Sequence, residues 1–379
     1  MKNLIFTFHE HLIYTYNPFN VIIDKLLYSV IDMKKNNGKG KVTEKDVPLV
    51  ESSISFGGLT AVKHANGRDW WIVVPDFSGN VFHVSKLTRQ GIDTTFVQTI
   101  GIVPNAMGEG LGQTVFAPDG SRMYRTNPYN PVMIYDFDRS TGIFTGFDTI
   151  AYDYGDDFKG EIGCAVSPNG QYLYLSVREH LYQLDLQSLD VSASQTLVAT
   201  WDGYAAPLPT QFWQCQLGPD CKVYIIAGSD TRFYHVIHHP DKPGPACNVE
   251  QRGLHLPTPS GVSMPSFPNF RLGPIENPGL PCSPVSATSG QALSPLPLLS
   301  VFPNPASDYL KIIPNRALPA SATWVLYDAL GRVVRSECLP EEEICTEINM
   351  TGLGIGVYWY QLVGAGNVVA QTGKVVVAR

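Results

Sequence analysis

Residues 163–177 read GCAVSPNGQYLYLSV: an apolar segment, a tight turn, and a second segment rich in Tyr, Leu and Val. The Asn169-Gly170 pair at the centre suits a hairpin turn, because both residues tolerate positive φ angles. The segments on either side carry the aromatic and β-branched residues that strands favour. The stretch therefore predicts a two-stranded β-hairpin, and its recurrence along the chain decides the fold.

The same plan recurs three more times, with turn pairs Asn66-Gly67, Asp119-Gly120 and Asp220-Cys221. The spacing is about 50 residues, and a third alternating strand follows each hairpin, in most repeats with a fourth apolar segment. Four short antiparallel strands per repeat are typical of a propeller blade, and packing blades around an axis buries both faces of each sheet. We therefore predict an all-β protein with a β-propeller over residues 1–275.

The ends of the repeat region are irregular. Residues 25–50 match the third and fourth strands of later repeats, so residues 1–50 are predicted to be a partial first blade, with no recognisable hairpin in residues 1–24. The stretch GVSMPSFPNFRLGP, residues 261–274, resembles one extra strand that would close the ring. About five repeats are recognisable, at the low end of the usual range.

The N-terminus begins like a secretory signal, with Lys2 followed by apolar residues. However, His9, Glu10 and His11 interrupt the apolar run, and no cleavage site of small residues follows. Two interpretations remain open: a five-bladed ring, or a chain that lacks its true start, with one or two blades and a signal peptide. The sequence favours the second.

Composition excludes some classes of function. The chain has 27 basic and 34 acidic residues, a net charge of −7, which argues against a nucleic-acid-binding protein. No run of 18 apolar residues predicts a membrane-spanning helix. No nucleophile elbow, HExxH or P-loop motif is present, and the sequence gives no reason to expect a cofactor.

Seven cysteines occur without a CxxC pair, so a zinc ribbon or thioredoxin-like site is unsupported. In an exported protein some would form disulfides, and in a cytosolic one they would be small buried apolar residues. Cys164, in a strand-like segment, is predicted to remain free. The candidate disulfide cysteines are two short-range pairs, Cys215 with Cys221 and Cys338 with Cys345, and Cys247 and Cys282, which flank a Pro-rich segment.

Four other patterns are weak indications of a site. The GEGLGQ run at residues 108–113 lacks the context of a dinucleotide-binding loop. The acids Asp153, Asp156, Asp157 and Glu161 are better explained as a solvated loop than as a calcium site. His235, His238, His239 and His255 make a poor metal site, because adjacent residues on a strand point to opposite faces. Trp70, Trp71, Trp201, Phe212 and Trp213 are either a sugar platform or, more simply, core.

Residues 276–298 are rich in Pro, Ser and Gly and are predicted to form a linker. Residues 299–379 then show seven or so short strands, which suit an immunoglobulin-like β-sandwich. Pro303 and Pro305 make a rigid entry to this domain, because proline fixes φ and donates no backbone hydrogen bond. Asp328 to Gly331 and residues 364–367 are predicted to be turns between strands.

Two resemblances accompany these patterns. Residues 25–283 resemble the propeller-like repeats of Bacteroidetes surface proteins. In residues 299–379, VFPNPASDYLKI, VLYDALGRVV, LGIGVYWYQL and GKVVV are similar, in order, to the motifs of the C-terminal sorting domain of the type IX secretion system. The positions that match these motifs are Pro303, Asn304, Pro305, Asp328, Gly331, Gly356, Tyr358, Gly373 and Lys374.

The resemblance to the sorting domain implies a periplasmic stage, export to the cell surface or medium, and two partners: the type IX machinery and a sorting peptidase. We therefore expect an exported propeller that binds an extracellular glycan or protein and is not an enzyme. The alternatives are a propeller hydrolase or lyase using Asp156, Asp157 or Glu161, and an adhesive fragment.

Overall fold

A computed structural model of the chain describes residues 4–16, 19–105, 108, 110–153, 160–205, 208–261, 264, 266–279, 281–282, 298–315, 318, 322–328, 330–339, 345–364 and 369–378. These residues form strands and three short 3₁₀ turns, at Asn36–Gly38, Ser192–Ser194 and Gly244–Cys247. They divide into two compact units. The first comprises residues 1–254 and 259–285, and the second comprises residues 255–258 and 286–379.

The strands of the first unit are β1 (Leu4–Tyr16), β2 (Phe19–Asp32), β3 (Lys41–Val50), β4 (Thr60–Lys63), β5 (Trp70–Pro75), β6 (Val81–Thr88), β7 (Gly91–Thr99), β8 (Thr114–Phe116), β9 (Arg122–Arg125), β10 (Val132–Asp138), β11 (Ile143–Ile150), β12 (Ile162–Val166), β13 (Tyr172–Val177), β14 (His180–Asp185), β15 (Thr196–Thr200), β16 (Phe212–Leu217), β17 (Val223–Ala227), β18 (Phe233–Ile237) and β19 (Val249–His255).

The first unit is a β-propeller, as predicted. Four antiparallel sheets follow in sequence, each of four strands in sequential order: β4 to β7, β8 to β11, β12 to β15, and β16 to β19. All four predicted turn pairs lie between the first and second strands of these blades. The local turn chemistry therefore places every hairpin of the complete blades.

Side-by-side packing joins neighbouring blades. Val62 and Phe82 of the first complete blade share a core with Met133 and Tyr135 of the second. Leu173 and Leu184 of the third blade pack with Val132 of the second, and similar clusters join the third blade to the fourth. The first three complete blades thus bury both faces of their sheets against neighbours, which explains why their second strands are largely buried.

The N-terminal sheet differs from the prediction. Strands β2 and β3 occur where a third and a fourth strand were expected, but residues 4–16 also form a long strand, β1, in a three-stranded sheet of order β1-β2-β3. Residues 1–24 therefore do contribute a strand. Their alternating pattern was obscured by His9, Glu10 and His11, whereas Phe6, Phe8 and Leu12 pack against the apolar cluster that the N-terminal sheet shares with the first complete blade.

The expected extra strand at residues 261–274 is also wrong: the described residues of this stretch form no strand. We call residues 266–279 the closing segment. It crosses the turns at the ends of the inner strands, where Asn269 Nδ2 donates to Pro118 O (2.9 Å), Arg271 Nη1 donates to Pro219 O (3.0 Å), and Ile275 N donates to Ala65 O (3.0 Å). Prolines and loop contacts replace the ladder that periodicity suggested.

One disulfide, Cys221 to Cys282, is formed by the described residues, so neither of the short-range pairs is joined. Cys164, Cys215 and Cys247 are buried free thiols, while Cys338 and Cys345 are free in the second unit. Cys164 is free as predicted. Because the paired cysteines are 61 residues apart, spacing in sequence did not reveal the bond. It ties the chain just after the closing segment to the turn of the fourth complete blade.

The second unit is a two-sheet sandwich, as predicted. Its strands are β20 (Leu299–Phe302), β21 (Tyr309–Pro314), β22 (Thr323–Tyr327), β23 (Val333–Cys338), β24 (Thr346–Asn349), β25 (Gly356–Val363) and β26 (Val369–Val377). The sheets have the orders β20-β21-β24 and β23-β22-β25-β26. Trp324, Leu310 and Leu362 lie in the core between them. The predicted turn at residues 364–367 lies mostly outside the described residues.

Candidate functional site

A cavity of about 570 Å³ lies at the centre of the propeller. It is lined by the first strand of each complete blade, β4, β8, β12 and β16, and by residues of the closing segment. A volume of this size is typical of small-molecule sites. Among the described residues that line it there is no Asp or Glu, and its two cations, Lys63 and Arg271, each donate to a backbone carbonyl.

Backbone amides of the inner strands face this cavity. In each blade the first strand pairs on one edge only, so its other edge points to the centre. Along an antiparallel strand, the backbone N–H and C=O groups of successive residues point alternately toward and away from the paired strand. In β12, Ser167 N donates to Tyr172 O across the hairpin, so the N–H and C=O of the preceding residue, Val166, point away from β13. His64, Ala117 and Gly218 make the equivalent bonds across the hairpins of the other three blades. The backbone N–H and C=O groups of Ala61, Phe116 and Leu217 therefore also point toward the centre.

Gln113 makes hydrogen bonds to the next inward-pointing backbone groups on β12 and β16, those of Cys164 and Cys215. Its Oε1 accepts from the N–H groups of Cys164 (3.1 Å) and Cys215 (2.9 Å), and its Nε2 donates to Cys215 O (2.7 Å). One side chain thus closes the inner edges of two blades. Gln113 lines a separate glycine-rich depression with Gly112 and Arg125, and not the larger cavity.

The two thiols beside Gln113 are inert. Burial raises the pKa of Cys215 to about 12, and it raises the pKa of Cys164 further from its usual value. A thiol that stays protonated at neutral pH is a poor nucleophile and a poor metal ligand. These cysteines therefore serve as small core residues.

The closing segment forms one wall of the cavity. Lys63 Nζ donates to Phe270 O (2.7 Å), and Gln216 Nε2 donates to Phe267 O (3.3 Å). Arg139 Nη2 donates to Gly273 O (2.5 Å) from the second complete blade. With the Cys221–Cys282 disulfide, these contacts hold the segment across three of the four inner-strand turns.

The aromatic residues considered as a sugar platform are mostly core. Trp71, Phe212 and Trp213 are buried, whereas Trp70, the neighbour of Trp71, is half exposed. Trp70 meets the ring of Phe270 of the closing segment edge to face, with ring centroids 5.4 Å apart. The prediction that Trp70 and Trp71 point to opposite sides is confirmed.

Two of the four histidines, His235 and His238, make ordinary structural contacts. His235 is fully buried, its Nε2–H donates to Thr210 O (2.7 Å), and its Nδ1 accepts from Arg252 N (3.3 Å). Burial lowers the pKa of His235 to about 4, so the ring is neutral. His238 instead pairs with Glu250 at 2.6 Å. No group of three metal-ligating side chains occurs in the part of the chain that the structure describes.

The acids proposed for a hydrolase are only partly visible. Asp156 and Asp157 lie outside the described residues. Glu161 is described and faces Arg178, with 3.9 Å between Oε2 and Nε.

In the second unit, the residues of the Pro-Asn-Pro motif close the sandwich. Asn304 Nδ2 donates to Lys374 O (2.8 Å), and Asn304 Oδ1 accepts from Val376 N (2.9 Å). Ala306 continues this pairing, because its N–H donates to Val376 O (2.8 Å). The motif around Pro303 and Pro305 thus brings an amide side chain onto the free edge of β26, and the first and last sorting motifs meet in space.

The other sorting motif positions also have local roles. Asp328 Oδ1 accepts from Leu330 N and Arg332 N, and Gly331 takes a positive φ of 75° in the same turn. Tyr358 Oη donates to Gly354 O (2.9 Å), near Gly356.

Gly373 lies against the ring of Tyr360, so that a Cβ atom would collide with the ring. These contacts explain the residue types found at the sorting-motif positions.

Sequence reasoning did not find the cavity. Its inward groups belong to the backbone of Ala61, Phe116, Val166 and Leu217, so no side-chain motif marks them. The glycine-rich run that ends at Gln113 marks the separate depression instead, where Gly112 packs so close to Thr126 O that any Cβ would clash with it.

Comparison with known proteins identifies the C-terminal part of the chain. Residues 300–378 match the family described as the secretion system C-terminal sorting domain. This match confirms the predicted sorting domain, and the protein is exported to the cell surface or the medium. A search of curated protein sequences found no match. No described helix is long and apolar enough to span a bilayer.

Solved structures with a similar fold are distant. A protein of unknown function from Bacteroides thetaiotaomicron is 12% identical over 66% of this chain and 64% of its own length, with a TM-score of 0.34. A putative TolB from Agrobacterium tumefaciens is 15% identical over 69% and 85%, with a TM-score of 0.36. A gluconolactonase from Xanthomonas campestris is 13% identical over 54% and 65%, with a TM-score of 0.31. At these scores the likenesses carry nothing about activity.

Proposed function

We propose that the protein is an exported binding protein, in which the propeller holds an extracellular ligand and the C-terminal sandwich directs secretion. The observation that carries this proposal is the cavity of about 570 Å³ between the inner strands of four blades. Concave, largely apolar sites with a few convergent polar groups are where proteins bind small ligands. The described residues around the cavity contain no acid, which favours binding over acid–base hydrolysis.

The sorting domain supplies the second part of the proposal. Its partners are the type IX secretion machinery and the peptidase that removes such domains. The structure of residues 298–378 supports this role in one respect: the ordered motifs are packed into a single folded unit with its own core. Retention on the surface and release are both compatible with this role.

A binding screen tests the propeller part. Purified protein is tested by thermal shift and calorimetry against libraries of oligosaccharides and peptides, and hits are repeated on Leu217→Trp, which enlarges a residue that lines the cavity. Leu189→Trp is the matched control, because Leu189 is fully exposed on the third complete blade. We expect Leu217→Trp to weaken binding at least tenfold and Leu189→Trp to leave it unchanged. Equal affinity for a folded Leu217→Trp would exclude the cavity.

A further inference from the structure

The free inward amides of the cavity lie at two neighbouring heights of the inner strands, which together we call the polar level. Phe116, Val166 and Leu217 directly precede the residue that bonds across each hairpin, and Ala61 lies one inward pair further from its hairpin turn. The N–H and C=O groups of Ala61, Phe116 and Val166, and the N–H of Leu217, have no hydrogen-bond partner among the described residues. The carbonyl of Leu217 accepts from Gln216 Nε2 (3.2 Å). Val166 is buried and the other three residues are half-buried, so these backbone groups are satisfied by water or by a ligand in the cavity.

The geometry disfavours a peptide strand as that ligand. A strand added to a sheet edge needs several consecutive amide pairs along one edge. On β12 and β16 one such residue is free, because Gln113 occupies the next inward pair. On β8 Thr114 and Phe116 both face inward, and on β4 the carbonyl of Lys63 accepts from Arg139 Nε (2.8 Å), so no inner strand offers more than two residues to the cavity. The free groups converge from four strands toward one centre, which suits a compact ligand with polar groups in several directions.

The charged residues around the cavity limit the chemical class of the ligand. No acid lines it among the described residues, and Lys63 and Arg271 are each held by a carbonyl of the surrounding turns or the closing segment. Desolvation and the nearby Arg139 lower the pKa of Lys63, consistent with an ammonium group that no anion stabilises. The polar level itself is neutral and contains both donors and acceptors.

From these observations we infer that the cavity binds a neutral saccharide of one or two sugar units. Hydroxyl groups both donate and accept hydrogen bonds, so they match a level of mixed N–H and C=O groups, and the C–H faces of a sugar suit the apolar walls. Tyr224, Tyr234 and Phe116 provide aromatic surface in the lining. This inference rests on the proposed function, since it names the ligand class of the same cavity.

The test combines calorimetry with amide chemical shifts on the full chain. The probes are glucose, N-acetylglucosamine, cellobiose and maltose as neutral saccharides, glucuronic acid as an anionic one, and tri-alanine as a peptide. We expect a neutral saccharide to bind and to shift the amide signals of Ala61, Phe116, Val166 and Leu217 more than those elsewhere. Occupancy by water alone predicts no such shifts and would overturn the inference.

A variant removes one donor without breaking the blade. Because the N–H of Ala61 points away from β5, Ala61→Pro deletes it while sparing the ladder, and Ala61→Ser retains it. We expect Ala61→Pro to weaken saccharide binding roughly three- to tenfold, as for one neutral hydrogen bond, and Ala61→Ser to bind like the wild type. If Ala61→Pro does not fold, the amide chemical shifts of the wild-type protein on saccharide addition still decide whether the cavity binds a saccharide.

The outcomes separate this inference from the proposed function. Tighter binding of glucuronic acid or tri-alanine than of every neutral saccharide would overturn the ligand class but leave the cavity as the binding site. If no saccharide binds while a library ligand is lost in Leu217→Trp, the saccharide class again fails alone. If no probe binds and no library ligand depends on Leu217, both fail.

Discussion

At the scale of single residues, Asn304 shows how a sequence motif becomes a structural contact. The sequence indicated that the segment around Asn304 is a rigid entry to the last domain, because prolines flank it. It could not show that the side-chain amide pairs with the backbone of β26, about 70 positions later in the chain. Long-range pairing of a side chain with a strand edge leaves no periodic trace in sequence.

Replacing Asn304 by Ala should destabilise the sandwich. The change removes two hydrogen bonds to the edge of β26, and each such bond contributes about 1 kcal/mol. We expect the free energy of unfolding to fall by roughly 1–3 kcal/mol, measured by denaturant titration with near-UV circular dichroism. Thr372→Ala, an exposed change on the same strand, is the control. Equal stability of both variants would contradict the role given to Asn304.

The raised pKa of Glu10 predicts that the stability of the protein depends on pH. Burial raises the pKa of Glu10 to about 7, although a hydrogen bond from the backbone of Gly57 partly offsets this effect. The folded state therefore holds this proton more tightly than the unfolded chain, whose glutamate has a pKa of about 4.3. Stability should fall as pH rises from about 4.5 to 7 and stay reduced above that window.

The measurement compares the wild type with Glu10→Gln at pH 5 and pH 8. The neutral variant should lose less of its melting temperature between the two values, because it carries no buried charge. His9 and His11, on the same strand, are present in both proteins, so their contribution cancels in the comparison. An identical loss in the two proteins would show that Glu10 is solvated.

At the scale of elements, the hairpins of the complete blades were predictable and the closing segment was not. Asn-Gly and Asp-Gly pairs specify a turn locally, so Asn66, Asp119 and Asn169 mark their hairpins without reference to the rest of the chain. Residues 266–279 are arranged instead by distant carbonyls at Pro118, Pro219 and Ala65. Contacts of that kind depend on the assembled ring.

The Cys221–Cys282 bond should hold the closing segment in place. It closes a loop of 61 residues, for which loop-closure entropy gives about 4 kcal/mol of stabilisation. Replacing both cysteines by Ser should lower stability by up to that amount and accelerate amide hydrogen exchange in residues 266–279. Cys338→Ser, which removes an exposed free thiol, is the control. Unchanged exchange in the double variant would mean that the hydrogen bonds alone hold the segment.

At the scale of the whole molecule, repeat spacing and ordered motifs were enough to predict two kinds of β architecture. A period of about 50 residues with four strands per repeat has few solutions besides a propeller. The cavity could not be predicted, because it arises where four strand edges from different repeats converge. Its polar groups are backbone amides, which every sequence contains.

An export assay tests most directly the claim that the C-terminal unit directs secretion of the propeller. The full chain and a version ending at residue 298 are each expressed behind the same cleavable signal peptide in a bacterium with a type IX system, and the periplasm, cell surface and medium are assayed. The account predicts that the full chain reaches the surface or medium and that the shortened chain stays in the periplasm. Equal export of the two would contradict it.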